Sequence, residues 1–337
     1  MATIADVARE AGVSRSTVSS VLTGRKFVRP ETRDRIEEAI RRLNFSVNSG
    51  ARALATSRTM IIGVIVQLHG GEFGPALAPF LVALSDSARA EGYDVLLVTE
   101  SDQAAAIHRL ALERRVDGVV LLNIVDDDPR LAVLHDHDLP AVLVGMPADS
   151  QGIDAVDLDF AEAGRTLVRH LHERGHEEAL FVRWSPEMFA QRNSFVLRFS
   201  DAVLAEADRL GLTLRPVDCP WEPEQVPAAL STALADRGAA TAVLVHDDAA
   251  TALLPAALHS AGVEVPQDIS VVSIHSAELA RAFALPFTSV ETVPEEVCDA
   301  AIQALLGRLT AGPDAPGEVV HTLLPPQITD RGSVRNL

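Results

Sequence analysis

Apolar side chains recur every three to four positions through the first 45 residues, then give way to short continuous runs, so the chain changes character near residue 60. Ile4, Val7, Ala8 and Ala11 fall at i, i+3, i+4 and i+7 behind Thr3, and Asp6 is placed to close a capping box. Gly12 ends that helix at a left-handed cap, and Ser14 opens the next, carrying Thr17, Val18, Val21 and Leu22. Helix, three-residue turn with a glycine, helix is helix-turn-helix spacing. Arg29-Pro30-Glu31 starts a third helix whose Ile36, Ala39, Ile40 and Leu43 roof the other two, and Phe45 closes the core. A fourth short helix follows within 47–58. The same stripes would suit a purely structural bundle. The polar face of the second helix, Arg15, Ser16, Ser19 and Ser20, argues otherwise, because short hydroxyls and an arginine suit base edges in a major groove.

From Met60 the pattern alternates strand and helix. Apolar runs Ile61–Val66, Val95–Val98, Gly118–Leu122 and Ala141–Val144 are separated by helical stretches near 79–91, 103–115 and 129–136. After Asp159 come a helix over 161–174, a strand Leu180–Val182, a long helix near 191–210, a helix over 223–235, a strand Ala242–Val245, a helix over 248–261 and a strand Ile269–Ile274. Such alternation predicts two doubly wound lobes built from parallel βαβ units. Ligands of such sheets bind beyond the carboxyl ends of the strands, and two facing lobes leave a closable cleft.

At 337 residues with 47% hydrophobic composition, the chain can fill two to three cores and is not disordered. Its longest apolar run, Met60–Val66, is far short of a membrane span, and no leader is expected before it, which points to a cytoplasmic protein. Cys219 and Cys298 are too few and too isolated for a disulfide framework or a zinc cage. The net charge of -18 averages over unlike parts. Residues 1–60 carry 11 Lys+Arg against 6 Asp+Glu, a balance of +5, which leaves 18 against 41, or -23, for the rest. A basic head on an acidic body suggests a phosphate-binding module joined to something with another task. Lys26 is the only lysine, so arginine makes nearly every cationic contact.

The stretch from Ala2 to Ser14, Ser16-Thr-Val-Ser19 and residues 45–54 resemble the LacI family of bacterial transcriptional regulators, which includes the lac, purine and galactose repressors, and the likeness runs nearly to the C-terminus. The resemblance implies a helix-turn-helix domain over 1–46, a hinge helix or linker over 47–58 and an effector-binding, dimerising core over 59–337. That core would be like a periplasmic binding protein: an N-lobe of about 59–160 plus 291–322 and a C-lobe of about 161–290 plus 323–337, with crossings near 159–161, 287–293 and 322–328. It further implies DNA contacts from Thr3, Ser14, Arg15, Ser16, Thr17, Ser20, Arg25 and Lys26, with Arg15, Ser16 and Ser20 reading bases. In the hinge, Leu54 takes the place of the leucine that wedges into the minor groove and Arg52 that of a phosphate contact. Unstacking a base step costs a few kcal/mol, which paired hinge helices must offset. Val47 replaces the family's usual proline and Gly50 weakens the helix, so the hinge is expected to order only on DNA.

The pocket departs from the family pattern. Trp221 stands where an aromatic ring meets the ligand, and Asp247 lies in His246-Asp247-Asp248, the counterpart of an Asn-Asp motif. Aligning Phe199 with the family's Gly-Phe puts Phe195 in place of the usual ligand arginine, and His275 replaces a carboxylate. Loss of the arginine, asparagine and carboxylate makes a typical sugar a poor fit, and two imidazoles with a phenyl ring suit an anionic, aromatic or less hydroxylated effector. Phe73, Trp184, Arg192 and Glu291 are further cleft candidates.

Motifs for chemistry are poor. His172-Glu-Arg-Gly-His176 has the letters of a zinc protease helix, but Gly175 should end the helix between the two imidazoles. His135-Asp-His-Asp138 reads as a solvated helix end, and Gly70-Gly71-Glu-Phe-Gly74 lacks the setting of a nucleotide loop. No catalytic residue, metal or cofactor is expected. The favoured reading is a homodimeric repressor in the bacterial cytoplasm, associated with the nucleoid, that binds a palindromic double-stranded operator and answers to a small molecule, with no membrane partner. The alternative is a DNA-binding regulator or architectural protein whose pocket is degenerate and takes no effector. An enzyme is the third class. No room remains after Pro325-Pro326 for a tetramerising heptad repeat.

Overall fold

The computed structural model describes residues 2–23, 27–45, 58–66, 74–282, 285–311 and 318–337, the side chains of Leu22, Thr23, Gly74 and Pro75 excepted. Arg25, Lys26, Arg52, Leu54, Phe73 and nearly all of the expected hinge lie outside the described residues. The chain divides into two compact units, one of residues 1–60 with 114–117 and one holding the remainder.

In the first unit, α1 (Ile4–Ala11), α2 (Arg15–Thr23) and α3 (Pro30–Arg42) surround a core of Val7, Ala8, Ala11, Val18, Ile36 and Ala39, with Val21, Ile40, Leu43 and Phe45 packed against it. Thr3 caps α1: its hydroxyl accepts from the Asp6 N–H at 3.3 Å while the Asp6 carboxylate accepts from the Thr3 N–H at 2.9 Å. This reciprocal box satisfies two donors that the first turn would leave orphaned. Gly12 turns the chain at φ +64°, a backbone that a side chain would strain.

The second unit holds two sheets. The first contains β1 (Ile61–Ile65), β2 (Asp94–Val98), β3 (Gly118–Leu121), β4 (Ala141–Val144), β5 (Asp154–Leu158) and, returning from the C-terminal region, β11 (His321–Leu324), in the order β11-β5-β4-β3-β1-β2, all parallel. Helices α4 (Gly74–Ala90), α5 (Gln103–Leu112) and α6 (Pro129–Asp136) connect its strands. The second sheet is β12-β10-β9-β8-β6-β7, formed by β6 (Glu178–Arg183), β7 (Thr213–Asp218), β8 (Ala242–Val245), β9 (Ser270–Ile274), β10 (Thr288–Val290) and the antiparallel β12 (Ile328–Thr329). On one face lie α7 (Phe160–His172) and α9 (Ser194–Leu210); on the other lie α10 (Val226–Ala235) and α11 (Asp248–Ser260). The chain passes between the lobes after β5, after β10 into α13 (Pro294–Ala311), which packs on α4, β4 and β5, and between β11 and β12.

The long helix expected near 191–210 is α9, which starts at Ser194: a separate short helix, α8 (Pro186–Ala190), precedes it, Arg192 takes φ +56°, and Asn193 pairs in an antiparallel bridge with Val125. The backbone leaves the helix there because its polar groups are used between the lobes. The helix expected from 79 begins at Gly74 and runs through Pro79, which forgoes a single backbone hydrogen bond near its start. Strands β5, β7 and β10, α12 (Ala277–Ala282) and α13 were not distinguished by the pattern. β5 is buried throughout yet contains two aspartates, and β7 carries Pro216 at the sheet edge.

Candidate functional site

Two sites are legible. The first is the outer face of α2. Ser14 accepts from the Thr17 N–H at 3.1 Å, and its hydroxyl lies 2.7 Å from that of Ser16 and 2.8 Å from that of Thr17, so three hydroxyls cluster at the helix start. Ser20 donates to the Ser16 carbonyl at 2.8 Å. Val18 is buried beneath them, while Arg15 and Ser16 are exposed. Three other arginines of the head are engaged: Arg35 donates to the Ala11 carbonyl, Arg9 pairs with Asp6 and Arg42 with Glu38.

The second is a cavity between the lobes, with about 950 Å³ of empty space including its open mouth. From the first lobe it is lined by Phe80 of α4, Leu122, Ile124, Gly145 and Asp157; from the second by Phe160, Trp184, Ser194, Phe195, His246 and His275, among others. Strand ends supply most of these side chains, as the doubly wound topology requires. His246 follows β8 and is buried in aromatic surroundings: its ring stacks on Phe199 with centroids 4.0 Å apart and meets Trp184 at 6.1 Å and Phe195 at 5.8 Å, both edge to face. Phe195 also lies 5.2 Å from Phe160. Burial pushes the His246 imidazole down to about 3 and that of His275 down to about 4, so both are neutral near pH 7. His275 Nδ1 lies 3.0 Å from the Ser276 carbonyl. The Trp184 Nε1, Ser194 Oγ and both His246 nitrogens have no hydrogen-bond partner among the described residues.

Of the nine effector candidates, Trp184, Phe195, His246 and His275 line the cavity. The structure places the others differently. Trp221 is not among the lining residues; it is half-buried and packs against the cluster of Trp184, Met188 and Val196. Asp247 caps α11, accepting from the Ala250 N–H at 2.7 Å, and also accepts from the Cys219 thiol; burial pushes its carboxyl up to about 6. Glu291 accepts from Arg331 at 2.6 Å and from Thr329 at 2.9 Å. Arg192 is exposed and pairs with Asp126 at 2.8 Å. Phe73 lies outside the described residues. The sequence reading did not single out Phe160, Asp157 or Arg198. Phe160 stands directly after the first lobe crossing, a position that could have flagged it. Arg198 lies one helical turn beyond Phe195, so an arginine returns close to the expected place, but its guanidinium is committed to Asp157.

The His172…His176 motif does not gather two imidazoles. His172 is the last residue of α7, Gly175 turns at φ +88°, and the buried His176 Nδ1 lies 2.8 Å from the Thr241 hydroxyl. Among the described residues no cluster of three metal-ligating side chains occurs, and no helix is long and apolar enough to cross a membrane.

A helix-turn-helix unit joined to two parallel-sheet lobes around a cavity defines a DNA-binding regulator with a ligand-binding core. Residues 3–48 match the model of bacterial regulatory proteins of the lacI family, and residues 168–334 match that of the periplasmic binding protein-like domain. The HTH-type transcriptional repressor PurR of Erwinia tasmaniensis is 32% identical over 320 residues, 92% of this chain and 91% of that protein, and the catabolite control protein A of Staphylococcus xylosus is 31% identical over 86% of each. The chain belongs to the lacI family of bacterial regulatory proteins. Its fold is also that of the lac repressor bound to ONPG in the repressed state, with 25% identity, 98% and 99% coverage and a TM-score of 0.78. The transcriptional regulator CelR in complex with cellobiose shares the fold at 24% identity, covering 99% and 100%, with a TM-score of 0.69.

Proposed function

We propose that this protein is a repressor that binds a palindromic operator as a homodimer in the bacterial cytoplasm, at the nucleoid, and whose DNA affinity is set by a small molecule in the inter-lobe cavity. The observation that carries this reading is the coexistence in one chain of a polar Arg15/Ser16/Ser20 face on a capped second helix and a cavity walled by both lobes. The PurR relatives are transcriptional repressors, which supports the same sign of regulation. Two heads related by a two-fold axis read two half-sites, so dimerisation and operator symmetry belong together. Arg15, Ser16 and Ser20 would read bases, Thr3, Ser14, Thr17, Arg25, Lys26 and Arg52 would hold phosphates, and Leu54 would enter the minor groove.

The effector acts by linkage: a ligand that favours one arrangement of the lobes shifts DNA affinity by its differential affinity for the two arrangements, and DNA shifts ligand affinity by the same factor. In this structure the lobes are tied across the cavity mouth. The Ser194 N–H donates to the Ile124 carbonyl and the Asp126 N–H to that of Arg192, each at 3.0 Å. Titrating a labelled operator with protein, with and without effector at fixed salt, tests the reading. A change in operator affinity without change in non-specific affinity supports it, and identical curves for operator and scrambled DNA sink it.

A further inference from the structure

We propose that the inter-lobe cavity takes an uncharged aromatic ring bearing hydroxyl substituents, a phenol-type molecule, in preference to a sugar, a nucleobase or an aromatic acid; this rests on reading the cavity as the effector site. Its walls are rings and aliphatic side chains: Phe80, Phe160, Trp184 and Phe195 surround the space, with Leu122 and Ile124 opposite. Phe160, Phe195 and Trp184 pack on one another at 5–6 Å in tilted and edge-to-face arrangements, an aromatic wall on which one more ring can pack.

Charge selects against an ion. Among the described lining residues there is no lysine or arginine, and the charge of the nearby Arg198 is balanced by Asp157, although its buried Nε–H has no partner among the described residues. A carboxylate would meet no free cation, while Asp157 and Asp248 both line the space. A carboxylate ligand therefore sacrifices its hydration without compensation. The two imidazoles do not rescue it, because both are neutral at physiological pH.

The number of hydrogen-bonding groups selects against a sugar. Each buried ligand hydroxyl needs a partner, and one left without weakens binding by about tenfold or more. Among the described lining residues, those with a buried polar atom lacking a partner are Trp184 (indole N–H), Ser194 (hydroxyl) and His246 (ring nitrogens), while Asn123, Asp248, Ser276 and Thr292 also contribute polar side chains to an otherwise mostly apolar wall. A neutral imidazole offers one donor and one acceptor, and an indole offers only a donor. Trp184 and His246 are in edge-to-face contact, so one ligand hydroxyl beside the pair can accept from Trp184 Nε1 and donate to the unprotonated His246 nitrogen. Of the two carboxylates that line the space, Asp157 is engaged by Arg198 and Asp248 also has a partner within the protein.

A matched series tests this on the full chain by titration calorimetry: 4-hydroxybenzyl alcohol, its carboxylate counterpart 4-hydroxybenzoate, its ammonium counterpart tyramine, then glucose and adenine. The alcohol is expected to bind at least tenfold more tightly than any other probe. Trp184→Phe, which keeps a ring and removes the N–H, is expected to weaken it about tenfold. If Trp184→Phe does not fold, Ser194→Ala replaces it, with a loss of severalfold expected. Equal or tighter binding of a charged analogue, glucose or adenine that is weakened by Trp184→Phe overturns the phenol class and leaves the cavity as the effector site. Silence from all five probes overturns the class as well. Binding that neither substitution alters lies outside the cavity and contradicts the effector-site reading itself.

Discussion

The guanidinium of Arg198, on α9 of the second lobe, donates to the carboxylate of Asp157, on β5 of the first. Burial pushes the Asp157 carboxyl up to about 6, against the pull of Arg198. The pair crosses the cleft beside the cavity, alongside the Val125–Asn193 bridge.

Replacing Arg198 by methionine keeps the length of the stem and removes the charge. Because the Arg198 side chain is 22% exposed, the cost is set below the 3–5 kcal/mol typical of a broken buried pair, at about 1–3 kcal/mol near pH 7.5. The cost should shrink at pH 5, where the lone carboxyl takes up a proton. Urea unfolding at both pH values measures it, and an equal cost at each would show that the charge on Asp157 is not what Arg198 compensates.

His246 supplies a pH dependence of known sign. Its imidazole titrates near 6.5 when unfolded and near 3 when folded, so the unfolded chain takes up the proton first. Stability is complete above about pH 6.5 and falls as pH drops toward 3, by about 2 kcal/mol at pH 5. His275, held near 4, adds a similar fall, whereas Asp157 and Asp247, raised to about 6, contribute stability that is lost as pH rises from about 4 to 6. His246→Phe isolates the first effect: the difference in stability between pH 7.5 and 5 should shrink by about 2 kcal/mol relative to the parent. An unchanged difference would mean that the imidazole is solvated.

Gly164 sets the approach of α7 to α9. A Cβ there would stand 2.8 Å from Val203 Cγ2 and 2.9 Å from the Phe199 carbonyl oxygen. Gly164→Ala should cost about 1–2 kcal/mol, overpacking exceeding the gain in helix propensity. Because Phe199 carries the ring on which His246 stacks, ligand binding should weaken in the same variant. Thermal melts and calorimetry on one preparation check both, and a gain in stability would show that the helices separate freely.

The parts of the fold that announced themselves did so through periodicity and punctuation. Thr3, Asp6, Gly12 and Ser14 mark the helix starts and stops of the head, and β3, β4 and β8 are unbroken apolar runs because both faces of a parallel sheet are covered. β5 hid behind Asp154 and Asp157, whose charges are tolerated inside only because Arg308 and Arg198, both far along the chain, reach them. Such long-range pairing leaves no local pattern. The cavity residues divided the same way. Phe195, His246 and His275 were found through the resemblance to the LacI family, and Trp184 as a general cleft candidate. Asp247 drew notice through the same resemblance and Glu291 as a cleft candidate, yet a helix start and Arg331 occupy them.

In the head, Arg15→Ala should flatten discrimination at one base position while leaving affinity for scrambled DNA within about twofold. Leu54→Ala should lower operator affinity selectively, as loss of a minor-groove wedge does. Competition binding against single-base operator variants distinguishes the roles. A uniform fall across sequences would make Arg15 a phosphate contact, and equal losses on operator and non-specific DNA would remove Leu54 from the minor groove.

Selection of bound sequences from a random DNA pool by the purified full-length protein, at a fixed salt concentration, addresses sequence-specific reading by a dimer most directly. Enrichment of a two-fold-symmetric motif of roughly 14–20 base pairs with a flexible central step is the predicted result. Enrichment of an asymmetric half-site, or of no motif, would contradict it.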